Sequence, residues 1–172
     1  MAKVQTQKAR KEYKCSKCGA IINSGEEYHK IVAQFQAPRI RCKNCKPERS
    51  ELTTSEYYSW LWDLQDHLEE RYDLRSEDGK DELYSEIDNQ RDELQMKLDN
   101  MPEQLQYAPT GEMLQERIDA LDSAINELDN LDYPDKEDYN DEDNTEEENE
   151  QEYQEALDEF ESNLVDIISN IE

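Results

Sequence analysis

Apolar residues return along most of this chain at helical spacing. Between 55 and 72, Tyr57, Trp60, Leu61, Leu64 and Leu68 keep to one side of a 3.6-residue period and predict a helix. Just ahead of it, "TTSE" at 53–56 has the form of a capping box, with Thr53 as the cap and Glu56 three residues on. A second stripe follows in Leu83, Ile87, Gln90, Leu94, Leu98 and Met101, and a third in Leu114, Ile118, Leu121, Ile125 and Leu128. The third advances by four, three, four and three, the spacing of a coiled-coil heptad over about two and a half repeats. Between these stripes lies "NMPEQLQYAPTGE", residues 100–112, in which Pro102 and Pro109 turn their preceding residues away from helical geometry. Thr110 or Gly111 then restarts a helix, so the two stripes predict an antiparallel helical hairpin. The last stripe, Leu157, Phe160, Leu164, Ile167, Ile168 and Ile171, makes residues 153–172 an amphipathic helix. Such a helix folds back on the body or docks in a partner's groove, with Leu157, Phe160, Leu164 and Ile168 as the contact residues.

The first fifty residues carry a different pattern. Short apolar runs at 20–22, 28–35 and 38–41 read as strands, and "NSG" at 23–25 as the turn between the first two. With the pairs Cys15-x-x-Cys18 and Cys42-x-x-Cys45 set among these runs, a spacing that can hold zinc, the expected fold class is mainly α: a small four-cysteine zinc-ribbon or treble-clef-like β module, an elongated antiparallel helical hairpin and a C-terminal amphipathic helix. Five segments follow from it, a basic arm (1–12), the cysteine module (13–50), a helical, coiled-coil-like body (51–131), a disordered acidic linker (132–152) and the last helix (153–172). The linker holds 12 acidic residues and one lysine among 21, too little apolar area to offset the entropy of ordering it.

Charge sharpens this division. Residues 1–49 carry 12 Lys and Arg against 4 Asp and Glu, a net of about +8, whereas residues 50–172 carry 7 against 41, a net of about −34. Two surfaces of opposite sign attract different partners. With 34% apolar and 37% charged residues, a large buried core is not expected. "MAKVQTQKARKEYK" has no apolar stretch of the signal-peptide kind, and no window approaches the length of a membrane span, so no membrane contact and a cytoplasmic location are expected.

All four cysteines fall within residues 15–45, as Cys15-x-x-Cys18 and Cys42-x-x-Cys45. Two such knuckles can set four thiolates at the corners of a tetrahedron around zinc. Gly19 lets the chain turn tightly behind the first pair. Two disulfides and a redox dithiol are the competing readings; a reducing cytoplasm disfavours the first, and the second lacks its βαβ context. A complete thiolate shell leaves no open position on the metal, so zinc is expected as a structural cofactor. His29 is expected to be an ordinary strand residue.

Lys14, Lys17, Lys43 and Lys46 flank the knuckles, and Arg39 and Arg41 approach the second one. These six are the candidate nucleic-acid contacts, with Tyr13, Tyr28 or Phe35 as stacking faces for unpaired bases. Equally, such cations can offset the negative charge of a metal tetrathiolate and dock onto the acidic body. Trp60 is expected to pack its helix against the cysteine module or the helical body.

The combination of "YKCSKCGAIINSGEEY", "RCKNCKPERSELTTSEY" and "LDNMPEQLQYAPTGEMLQERIDALDS" resembles a group of small proteins encoded by tailed bacteriophages and related mobile elements. In that group a zinc-finger head precedes an Asn-Met-Pro-Glu-x-Leu turn and a Thr-Gly-Glu-x-Leu-x-x-Arg-Ile helix start. The resemblance covers about residues 10–130. It implies a phage origin, the domain order and a recurring structural unit at 100–105 and 110–118, and it carries over no activity and no catalytic residues.

Three functional expectations follow. The first is a non-enzymatic adaptor, whose zinc head contacts nucleic acid or an anionic surface and whose acidic body contacts a host or phage protein. The second is an acidic nucleic-acid mimic that occupies a host DNA-binding or defence protein. The third, a magnesium-dependent nuclease, has only scattered carboxylates and His67 beside acids to recommend it. The heptad stripes fit an intramolecular hairpin and a homodimer alike.

Overall fold

A computed structural model describes residues 2–32, 37–140 and 144–172. About 58% of the described residues are helical, and the helices follow a small antiparallel sheet near the N-terminus. The chain divides after His67 into two compact units.

The first unit holds five strands, β1 (Lys3–Lys8), β2 (Tyr13–Lys14), β3 (Ile21–Ile22), β4 (Glu27–Val32) and β5 (Arg39–Cys42). β1, β4 and β5 form one antiparallel sheet in the order β1-β4-β5, and β2 pairs with β3 in a second. Residues read from the sequence as a basic arm thus form a strand, with Lys3 opposite Val32 and Lys8 opposite Glu27. Every side chain of β1 is exposed, so no apolar alternation marks it, and backbone pairing holds most of it in place. Within this ladder His29 lies opposite Thr6, whose Oγ1 is 3.1 Å from its Nδ1. The β3–β4 turn passes through Gly25 at φ +93°, a conformation open to glycine.

After β5 come a 3-10 turn, Arg49–Leu52, and α1, Glu56–Asp66. α1 belongs with the strands rather than with the helical body, so the expected boundary at 50 moves to 67. Three contacts account for this. The Arg49 guanidinium pairs with Asp66 at 2.7 Å, the Ser59 hydroxyl donates to the Ser50 carbonyl, and the Ala2 N–H donates to the Leu52 carbonyl. The cap is Ser55, whose hydroxyl accepts from the Tyr58 N–H, while Thr53 accepts from the Ser55 N–H and so lies two residues outside the helix. α1 ends six residues earlier than its stripe suggests, because His67 leaves helical geometry.

In the second unit a single turn, α2 (Leu68–Arg71), precedes α3 (Glu77–Asp99), α4 (Glu103–Gln106), α5 (Pro109–Asp129) and α6 (Glu146–Ser169). α3 and α5 form the antiparallel hairpin: Lys80 Nζ near the start of α3 donates to the Leu131 carbonyl just beyond α5, and Arg91 approaches Asp122 farther along. Their facing stripes, Leu83, Ile87, Leu94 and Leu98 with Leu114, Ile118, Leu121, Ile125 and Leu128, are buried. α5 restarts at Pro109, whose missing N–H costs nothing in a first turn, rather than at Thr110 or Gly111.

Two expectations for the C-terminal part are corrected. The proposed partner-contact residues Leu157, Phe160, Leu164 and Ile168 are only 7, 3, 0 and 0% exposed, since α6 packs beside α5 and closes a three-helix core. They stabilise the fold and offer no free face. Within 132–152, moreover, the described residues are ordered by specific contacts. Tyr133 meets Phe160 edge-on at 5.3 Å, Lys136 pairs with Glu150 at 2.7 Å, and Thr145 opens α6 with a capping box to Glu148. Composition concealed these contacts because they use tyrosines and a cap rather than an apolar stripe; residues 141–143 lie outside the described residues.

Candidate metal centre

Each knuckle is placed by a strand. Cys15 and Cys18 occupy the turn joining β2 to β3, closed by the Cys15 N–H to the Ala20 carbonyl (2.8 Å) and the Gly19 N–H to the Cys15 carbonyl (3.0 Å). Gly19 has φ +74°, the left-handed geometry that glycine adopts without strain. Cys42 ends β5, and the Cys45 N–H reaches back to its carbonyl at 2.9 Å. The two knuckles are joined directly, because both the N–H and the hydroxyl of Ser16 donate to the Ile40 carbonyl and the Cys42 N–H donates to Cys15 Sγ at 3.3 Å. Neither knuckle lies on a helix.

The four sulfurs lie within 4.8 Å of one another, and those of Cys18 and Cys42 are 3.7 Å apart. A tetrahedron with metal–sulfur bonds of about 2.3 Å has edges of about 3.8 Å. All four cysteines are free of disulfides. They are positioned to hold a metal ion. Beneath them lies a core of Ala9, Cys15, Ile22 and Tyr28, with the Tyr13 ring 5.2 Å from that of Tyr28.

Two of the four thiols are pulled in opposite directions. Burial alone would raise the Cys15 pKa, but backbone N–H groups of Cys18, Cys42 and Lys17 outweigh it and bring the value down to about 6. Cys45 moves the other way, up to about 12, through hydrogen bonding with the Cys42 and Cys18 thiols, burial and the neighbouring Cys15. One site prepared for a thiolate beside another that resists becoming one is the electrostatic state that a metal cation relieves.

The candidate nucleic-acid cations divide into two sets. Lys17 pairs with Glu48, and Arg39 donates to the Glu51 carbonyl at 2.6 Å. Arg41, 9% exposed, pairs with the buried Glu51 carboxylate and is removed as a phosphate contact by that burial. Lys14, Lys43 and Lys46 remain at least partly open to solvent, Lys43 with only a loose approach to Glu27 at 3.8 Å. Tyr28 is buried, leaving Tyr13 half-exposed, and Phe35 lies outside the described residues. The cations that do pair find carboxylates within their own unit.

Sequence reasoning missed Glu48 and Glu51. They cap the 3-10 turn, the Glu48 N–H donating to Glu51 Oε2 at 3.1 Å, and so tie the knuckles to α1. The signal was present as an i, i+3 carboxylate pair immediately after the second knuckle. Substituting Glu51→Gln keeps the shape but leaves Arg41 without its counter-charge, and should destabilise the first unit by about 1–3 kcal/mol. Denaturant melts followed by tryptophan emission would measure it.

Compared with protein-family models, curated proteins and solved structures, the chain gives no match to any of them.

Proposed function

We propose that the protein is a non-enzymatic, two-headed adaptor whose first unit is locked by structural zinc. Four cysteine thiolates favour a four-coordinate, soft-ligand metal, and a shell complete in sulfur leaves no position for substrate or water. Zinc bound there supplies folding energy, while the chain's own Ser16, Ile40 and Cys42 hold the knuckles together.

The observation that carries the adaptor reading is the division of charge between two separately cored units. Residues 1–67 carry 12 Lys and Arg against 8 Asp and Glu, a net of +4, and residues 68–172 carry 7 against 37, a net of −30. The first unit meets nucleic acid or another anionic surface through Lys14, Lys43 and Lys46, with Tyr13 beside them. The second unit meets a protein. With the resemblance to tailed-phage proteins, this fits an accessory role in a phage or mobile element, the partner being a host or phage protein.

The test is fluorescence anisotropy of a labelled single-stranded oligonucleotide with the zinc-loaded full chain. Binding should weaken roughly twentyfold between 50 and 200 mM salt, as expected for about three phosphate contacts on a single strand. The triple substitution Lys14→Glu, Lys43→Glu and Lys46→Glu should abolish it. No binding at 50 mM salt would remove the nucleic-acid arm. Displacement of DNA from a basic DNA-binding protein by the unaltered chain would instead favour mimicry by the acidic unit.

A further inference from the structure

The hairpin turn is more elaborate than a chain reversal requires. Antiparallel helices are commonly joined by about two to five residues. Here nine intervene between Asp99 and Pro109, with α4 inside them. Their internal work is done by a few groups. Pro102 precedes α4, and its carbonyl accepts from the Leu105 N–H at 2.7 Å. The Gln106 side-chain amide donates to the Met101 and Leu98 carbonyls at 2.9 and 3.3 Å, covering the open end of α3. Gly111 passes so close beneath that a Cβ there would lie 2.1 Å from the Gln106 carbonyl oxygen, so glycine is needed for the close approach.

None of this uses the side chains of Leu105 or Tyr107, which are 52 and 79% exposed. Met96 on α3 and Met113 on α5 are exposed as well, and these four are all the large apolar side chains that the described residues of the second unit leave in solvent. A chain of mean hydropathy −1.19 thus concentrates its exposed apolar groups at the closed end of the hairpin. Methionines beside a fixed aromatic make an adaptable contact surface. Around them stand the exposed carboxylates of Glu93, Asp99, Glu103, Glu112 and Glu116, against Lys97 as the single Lys or Arg in residues 92–116.

We infer that the hairpin tip, centred on Leu105 and Tyr107, is a docking surface for a cationic amphipathic helix of a partner protein. The apolar groups take the helix's apolar stripe, and the carboxylates face its lysines and arginines. The sign of that rim argues against nucleic acid or an anionic membrane. A second tip from another copy would set carboxylate against carboxylate. The inference deepens the adaptor reading, on which it rests, by giving the acidic unit's partner a chemistry and an address.

The probe is a labelled 18-residue helix of lysine and leucine with its leucines on one face, compared with a peptide of the same composition in scrambled order. At 150 mM salt the zinc-loaded full chain should bind the amphipathic peptide at least tenfold more tightly than the scrambled one. The double variant Leu105→Ser and Tyr107→Ser, and in weaker form Tyr107→Ala alone, should erase that preference with helical ellipticity unchanged. Equal affinity for both peptides, or a preference that survives the double variant, overturns the proposal. So does self-association of the chain that the same variants abolish, which would make the occupant a second copy. Oligonucleotide binding by the first unit uses none of these residues. Its loss with the tip preference intact would sink the adaptor reading alone, and the reverse result would sink the tip alone.

Discussion

Removing the metal with a strong chelator should unfold residues 2–67 and leave α3, α5 and α6 standing. Beneath the knuckles the first unit buries only Ala9, Cys15, Ile22 and Tyr28, and elsewhere it adds Ile31, Tyr57, Leu61 and Leu64, a small core for a 67-residue unit without a cross-link. Structural zinc in a four-ligand site supplies about 10–16 kcal/mol of folding free energy in small domains, which exceeds the whole stability expected of such a unit. The two units carry separate optical reporters. Trp60 and Trp62 are the only tryptophans, and both lie on α1, within the first unit, whereas most of the helix lies in the second. Chelation should therefore change tryptophan emission while most of the ellipticity at 222 nm remains, and added zinc should restore the emission. Cys15→Ser should reproduce the chelated state, because Cys15 is both ligand and core residue. Acidification should act in the same direction, since protons compete with the metal for thiolates. Emission that ignores chelator and substitution alike would show that the first unit folds without metal.

Leu164→Ala should do the converse. Leu164 is fully buried, at the middle of the stripe that α6 lays against the hairpin, and truncating such a leucine removes transfer energy and leaves a cavity, together about 2–5 kcal/mol. Urea melts followed by ellipticity should move to a lower midpoint, with an extrapolated stability lower by that amount. The tryptophan transition should stay in place, as expected for a site in a separately cored unit. Unchanged ellipticity melts would mean that α6 is held elsewhere than in the three-helix core.

Much of this architecture was legible because two strong signals dominate the sequence. Paired Cys-x-x-Cys motifs announced the clustered thiols that are positioned to hold a metal, and three stripes at helical spacing announced α3, α5 and α6. What escaped was whatever depends on groups without a period. β1 is held by backbone pairing, with every side chain in solvent, so the alternation that identifies a half-buried strand was missing. The ordered contacts of Tyr133, Lys136 and Tyr139 with α6 sat inside a run of carboxylates whose composition spoke for disorder. For α1 the stripe marked the helix but carried it past His67 and assigned it to the wrong unit, since Arg49–Asp66 and Ser59–Ser50 are pairings that no periodicity reports. The cations beside the knuckles were recognisable as a group, yet which of them are spoken for depended on Glu48 and Glu51, and burial took Arg41 out of the set.

The order of the two units has a consequence during synthesis. The four cysteines positioned to hold a metal lie between positions 15 and 45, in a unit that ends at His67, so a ribosome releases that whole set before it has made most of the carboxylates. Domains fold from the N-terminal side as they emerge. A nascent chain can therefore close its thiolates around a cation while the 37 acidic side chains of residues 68–172 are still unmade or only emerging. Placed in the opposite order, the same two units would ask the knuckles to find their metal beside a long, already exposed polyanion that holds divalent cations loosely in its own atmosphere.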